Sequence, residues 1–323
     1  MSEIEAPRVD VEEAAPGVLV ARLRTGPLGL FERPLADGLR EVVLRAQHDD
    51  AVRAVVVTGT HPERFVSHAS IRWLQEGGRD SPRVGVRGAS AVARLAGVVR
   101  RARPLAPFAR RTPLRGVVEL DRLHDTFLRM NSCGAIFVAA LNGSALGAGA
   151  ELAWACDLRL MADGAHFVGQ PEILLGFNPG GGGTQRLTRL VGSHRSLLAI
   201  LDGRPLAARE ALAIGAVDEL VAPAELVERA VVVAERYGAR PKTAVAAVKR
   251  SVYLGGSTGL AGGLLRERAE FLAVLSGSDA QQRMLAYMRR TEADGELPLY
   301  DPDSYARALA AGTFGDATEP TVA

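Results

Sequence analysis

The chain has 323 residues, 47% of them apolar, 24% charged and 5% aromatic, with a net charge of +2. That is roughly two domain lengths of about 150 residues each, enough to bury a large core without disulfides or a structural metal. The two cysteines, Cys133 and Cys156, make neither a disulfide framework nor a four-ligand zinc site, so no metal is expected and both read as buried thiols in a reducing compartment.

The acidic start, MSEIEAPRVDVEEAAPG, has no basic segment followed by an apolar one, so no signal peptide is expected. The longest apolar runs, such as Ala135 to Leu141, fall far short of the ~20 residues that cross a bilayer. A cytoplasmic protein with no membrane partner is the expectation.

In chain order, Val18 to Leu23 and Ala54 to Thr58 read as short buried strands, with an amphipathic helix between them over Pro34 to Gln47. Residues 76 to 127 break that rhythm with Arg, Pro and Gly, and carry helical potential at Ala89 to Arg101 and Val117 to Met130. Between Arg79 and Arg115 ten arginines face one acid, Asp80, a local charge of ten minus one, or +9. Such a stretch attracts phosphates or acidic partners. Its one aromatic, Phe108, is too few for the stacking platforms of single-stranded nucleic-acid sites, so no nucleic-acid partner is expected.

A third strand, Ala135 to Leu141, runs into a glycine-rich turn, Gly143 to Gly149, then a helix over Ala150 to Cys156 and a strand over Leu158 to Met161. Strands alternating with helices predict an α/β architecture with parallel pairing. From Lys242 the chain reads mainly helical, clearest at Leu264 to Leu275 and Asp279 to Arg290, and the last stretch, AGTFGDATEPTVA, reads as disordered.

The chemistry concentrates between Asn142 and Leu187. The turn in AALNGSALGAGAELAWACD lets backbone approach a ligand, and the first amides of the following helix lack internal partners. Such a site suits a phosphate or a developing oxyanion, although on chemistry alone tight helix–sheet packing explains the small residues better. It is no Walker loop, because no Gly-Lys-Ser/Thr follows, and Leu152 stands where a dinucleotide fingerprint needs its third glycine. Downstream, GQPEILLGFNPGGGGTQRLTRL places four glycines before an amphipathic helix starting near Thr184. Glu151 and Glu172 flank this region. Singly, Glu151 could offset a helix dipole and Glu172 could be a solvated loop residue. Brought to one apolar, water-poor site, repulsion and desolvation would raise at least one pKa and give one proton acceptor and one donor.

The runs NGSALGAGAELAWACDLRLMADGAHF and GQPEILLGFNPGGGGTQRLTRLVG, continued by LDGRPLAAREALAIGAVDELV, closely resemble the enoyl-CoA hydratase/isomerase (crotonase) family. The resemblance implies a crotonase-like spiral of ββα units over about residues 12–258, with the Arg-rich insertion at about 76–127. A C-terminal helical trimerisation region with a disordered tail follows over 259–323, forming a homotrimer or a dimer of trimers. It implies an acyl-CoA substrate, with coenzyme A part of the substrate and no separate cofactor. It implies a lyase of fatty acid metabolism in which Glu151 and Glu172 hold a water over the 2,3 double bond. The backbone amides of Val66 and Ala148 would form the oxyanion hole. An isomerase, a C–C bond hydrolase, or a catalytically weak partner subunit of the same fold are the alternatives.

Three departures from the family pattern stand out. In RFVSHASIRWL, His68 takes the usual glycine position and Ser70 the usual aspartate; with Gly180 they are candidate acyl-pocket residues. His68 could point to solvent or bond a neighbouring carbonyl, or place a proton-exchanging group in the pocket. The insertion is several dozen residues longer than the family's and could serve CoA phosphates, an acidic carrier, or no partner. RTGPLGLFERPL replaces an asparagine-rich start of the first helix, where the family contacts the CoA adenine.

Overall fold

A computed structural model describes residues 6–80, 84–101 and 115–314. Six strands form the main sheet, in the order β1-β2-β3-β5-β7-β10: β1 (Arg8–Ala15), β2 (Val18–Arg24), β3 (Ala54–Gly59), β5 (Ile136–Leu141), β7 (Leu158–Ala162) and β10 (Glu219–Val221). A second sheet holds β4 (Arg64–Val66), β6 (Ser144–Leu146), β8 (Phe167–Gly169) and β9 (Leu206–Ala207). Helices α1 (Arg33–His48), α2 (Ile71–Asp80), α3 (Val86–Arg101), α4 (Arg115–Met130) and α5 (Ala148–Ala155) come before β7. After β8 come α6 (Gly183–Val191), α7 (Ser193–Asp202), α8 (Ala208–Ile214), α9 (Leu226–Gly238) and α10 (Lys242–Lys249). The chain continues with α11 (Leu260–Leu275), α12 (Ser278–Asp294) and α13 (Pro302–Ala311).

The repeat is visible in this order. Each of β3-β4-α2, β5-β6-α5 and β7-β8-α6 gives one strand to each sheet and then a helix. The pairs β2–β3, β3–β5 and β5–β7 are parallel, as are β4–β6 and β6–β8, so the units stack as a spiral.

The strands are continuously apolar because both faces of the sheet are covered. Alternate residues enter two cores: Leu19, Val55, Phe137 and Ala139 face α1, α4 and α5, while Val20, Val56, Val138 and Leu160 face α9. All eight residues of α5 are buried, so the glycine-rich turn opens onto a helix inside the protein. Gly149 is where it passes β4: a Cβ there would lie 1.9 Å from the Val66 carbonyl oxygen.

The apolar periodicity missed β1. That strand alternates charges, and it pairs with β2 by an Arg22–Glu12 ion pair of 2.8 Å and an Arg24–Asp10 pair. In the insertion, both expected helices form, as α3 and α4; the arginine-rich run beyond Arg101, residues 102–114, lies outside the described residues. The expected disordered tail starts too early. Ala311 closes α13, and Phe314 packs edge-on against Tyr287 at 5.4 Å and stacks on Tyr305 at 6.3 Å. Residues 315–323 lie outside the described residues. Among the described residues, no helix is long and apolar enough to cross a membrane.

Candidate active site

A cavity of about 320 Å³ lies where the spiral meets the insertion. At one end stand Ala148 and Glu151 from α5, Glu172, and His68 and Ala69 from the loop after β4. Gly180 and Gly181 of the four-glycine loop close the same end. Of the expected site residues, the cavity brings together Glu151, Glu172, Ala148, His68 and Gly180. Val66 and Ser70 are not among its lining residues. Val66 is wholly buried within β4 against Gly149, and Ser70 is buried with its amide donating to the Phe31 carbonyl at 3.1 Å.

Glu151 is carried on the first turn of α5, its N–H donating to the Gly147 carbonyl at 2.9 Å. Its Oε1 accepts two backbone amides from the glycine loop, Gly181 at 2.7 Å and Gly183 at 2.9 Å. Burial raises its pKa to about 7; the Glu172 charge also raises it, while the Gly183 and Gly181 amides and the Arg186 guanidinium pull the other way. A group titrating there can both hold and release a proton near neutral pH.

Glu172 opens a 3₁₀ turn, Glu172–Leu175, that follows Pro171 and ends at Gly176 in the left-handed region. Burial raises its pKa as well, opposed by a hydrogen bond from its own amide and by the charge of His68. Its Oε2 is buried and has no hydrogen-bond partner among the described residues. Gly147 holds this corner together. Its φ of +52° favours glycine, and a Cβ would lie 2.9 Å from both Glu172 Oε1 and His68 Cβ. Gln170, buried beneath, donates from Nε2 to the Gly147 carbonyl at 3.2 Å.

His68 Nδ1 lies 2.8 Å from the Ala69 carbonyl oxygen, to which it donates. The backbone around it is fixed by a parallel bridge to Phe31, whose amide donates to the His68 carbonyl at 3.0 Å. In a parallel bridge the middle residue turns its own amide the other way, so the N–H of Ala69 points away from Phe31. Ala148, first residue of α5, has an amide with no acceptor inside its helix. Both residues line the cavity.

Sequence reasoning missed several contributors. The amides of Gly181 and Gly183 grip Glu151, yet the sequence shows only a glycine run. His124 Nε2 reaches the Gly180 carbonyl at 2.7 Å and ties α4 to that loop. Arg186, stacked 5.5 Å from the Phe127 ring, donates to Asn131 Oδ1 at 2.6 Å and adds positive potential near Glu151. The detectable signals were positional: Arg186 lies on a helix read as amphipathic, and His124 lies in a stretch read as helical.

The family model for enoyl-CoA hydratase/isomerase matches residues 118–295, more than half of the chain. A short-chain-enoyl-CoA hydratase of Clostridium acetobutylicum is 30% identical over 264 residues, covering 80% of this chain and 87% of that protein. A probable enoyl-CoA hydratase of Rhizobium meliloti is 40% identical over 157 residues, 49% of this chain and 61% of its own. The crystal structure of an enoyl-CoA hydratase from Bacillus anthracis superposes with a TM-score of 0.68 at 24% identity, covering 91% of this chain and 98% of that one, a likeness of fold. The ββα spiral, the cavity at its heart and these matches agree: the chain is an enzyme of the enoyl-CoA hydratase/isomerase family, with the crotonase fold.

Proposed function

We propose that the protein hydrates the 2,3 double bond of a 2-enoyl-CoA thioester. The observation that carries this reading is the meeting of two buried glutamates, each with a raised pKa, in one cavity that Ala69 and Ala148 also line. The thioester carbonyl accepts hydrogen bonds from the amides of Ala148 and Ala69. Ala69 takes the place expected for Val66, because it is Ala69 that lines the cavity. Glu151, whose Oε1 is gripped by two amides that favour its charged form, takes a proton from the attacking water. The water oxygen bonds to C3, and the π electrons shift to the carbonyl oxygen as an enolate held by the two amides. Glu172, whose carboxyl is shifted by burial toward its protonated form, donates a proton to C2 as the enolate collapses. Proton count and charge balance, with Glu151 left neutral and Glu172 charged until they exchange protons through solvent or the product.

The coenzyme A portion is held as part of the substrate and no separate cofactor takes part in this scheme. Homotrimeric assembly, or a dimer of trimers, would cover α11 and α12, neither of which has a buried residue in the single chain. The test is a spectrophotometric hydration assay with 2-enoyl-CoA thioesters. Conversion to the 3-hydroxyacyl thioester supports the reading; positional isomerisation or thioester loss without hydration overturns it.

A further inference from the structure

We propose that the acyl end of this cavity is built for a long or ring-bearing apolar chain, well beyond four carbons, with its far wall supplied by the insertion; this rests on the hydratase reading of the same site. The carboxylate end occupies one side only. Beyond it, α2 and α4 form the wall with Ile71, Leu74, Val117, Leu120 and Leu123, and Leu175 of the 3₁₀ turn and Phe177 just after it line the same cavity.

Size is the first argument. The whole cavity, of about 320 Å³, holds roughly ten groups of water size at ~30 Å³ each, and a four-carbon acyl group with its carbonyl oxygen fills about half of it. Gly77 and Gly116 keep the wall thin where α2 crosses α4: a Cβ on Gly116 would lie 3.3 Å from the Gly77 Cα, and one on Gly78 meets nothing within 4 Å.

Exposure is the second. Ile71, Leu74, Leu120, Leu175 and Phe177 are all large, apolar and solvent-exposed in the free protein, and all converge on this one opening. Scattered single apolar residues need no explanation, but a converging set marks a surface that a ligand covers.

Polarity is the third. The wall's one carboxylate, Glu119, is already engaged: it accepts from Arg33, from Trp73 Nε1 at 2.8 Å and from Arg115 Nε at 3.1 Å. Asn178 Nδ2 is spent on the Pro179 carbonyl at 2.9 Å. Among the described residues of this far wall, no cation awaits a terminal carboxylate and no unengaged carboxylate awaits a terminal amine, so the wall suits an apolar chain end.

The experiment uses the full chain and trans-2-enoyl-CoA thioesters of four, six, eight, ten and twelve carbons. Each methylene buried should raise kcat/KM by about fourfold until the cavity is full. A maximum at four carbons, declining with length, overturns the proposal. Saturated butyryl-CoA and decanoyl-CoA are titrated in parallel by calorimetry. If no chain is hydrated but decanoyl-CoA binds at least tenfold tighter, the pocket assignment stands and the hydratase reading falls. Equal binding of the two overturns the pocket assignment whatever the turnover. Leu120→Trp, which thickens the far wall, should lower the ten-carbon to four-carbon ratio of kcat/KM by more than tenfold; an unchanged ratio places the chain elsewhere and overturns the proposal.

Discussion

Gly149 sits so close to Val66 that a Cβ would come within 1.9 Å of the Val66 carbonyl oxygen and 2.7 Å of its carbon. The obstacle is backbone, which cannot swing aside as a side chain can. This contact presses the first turn of α5, and with it Ala148 and Glu151, against the loop that carries His68 and Ala69.

Gly149→Ala therefore forces helix and strand apart. Overpacking of this kind costs about 1–3 kcal/mol. The urea midpoint should fall with an unchanged slope, and hydration should fall further than stability alone explains, because the two amide donors separate. An unaltered midpoint would mean that the contact is looser than described.

The pH dependence of stability has a defined sign. Glu151 has a pKa raised by burial to about 7 from an ordinary 4.5. Below about pH 4.5 the carboxyl is neutral in both folded and unfolded chains and carries no penalty. Between pH 4.5 and 7 the unfolded chain gives up its proton first, so the penalty on folding grows and reaches at most about 3 kcal/mol. Glu151→Gln should accordingly stabilise the protein at pH 7.5 and lose that advantage as the pH falls to 4.5. Denaturant midpoints of both proteins across that range check it; a gain that is independent of pH would point to packing instead. A stabilising change that removes a reactive group is the usual signature of a functional carboxylate.

The C-terminal helices give a third expectation. Leu265, Phe271 and Leu272 on α11 and Met288 on α12 are more than half exposed in the single chain. Apolar helix faces of this size are normally covered. Sedimentation at micromolar concentration should give a trimer or a dimer of trimers, and the paired change Leu265→Asp with Phe271→Asp should move it toward monomer. A monomeric wild type would contradict the assembly.

Much of this molecule was legible in its sequence. Strands β2, β3, β5 and β7 announced themselves as apolar runs because both sheet faces are buried, and α1, α11 and α12 through helical periodicity. β1 stayed hidden because its apolar alternation is short, only Val9 and Val11, and the residues alternating with them are charges, Asp10 and Glu12, that pair with Arg24 and Arg22 of β2. The two glutamates were readable as residues, and their convergence on one cavity followed from the family resemblance. Their environment was not readable. The grip of Gly181 and Gly183 on Glu151 uses backbone amides, which look the same in every sequence. The cavity-facing position of Ala69 beyond Val66 depends on the bridge to Phe31, a contact across more than thirty residues that no local pattern records.

The central claim is that Glu151 and Glu172 act on one water in one transition state. The most direct measurement is a kinetic cycle of hydration with wild type, Glu151→Gln, Glu172→Gln and the double variant on the best thioester. Each single change removes a proton-transfer group and should lower kcat by ~10²–10⁴. The double variant should lose far less than the product of the two losses, and thioester affinity should change little in all three. If Glu172→Gln hydrates its substrate at the wild-type rate, the two-glutamate mechanism is wrong for this protein.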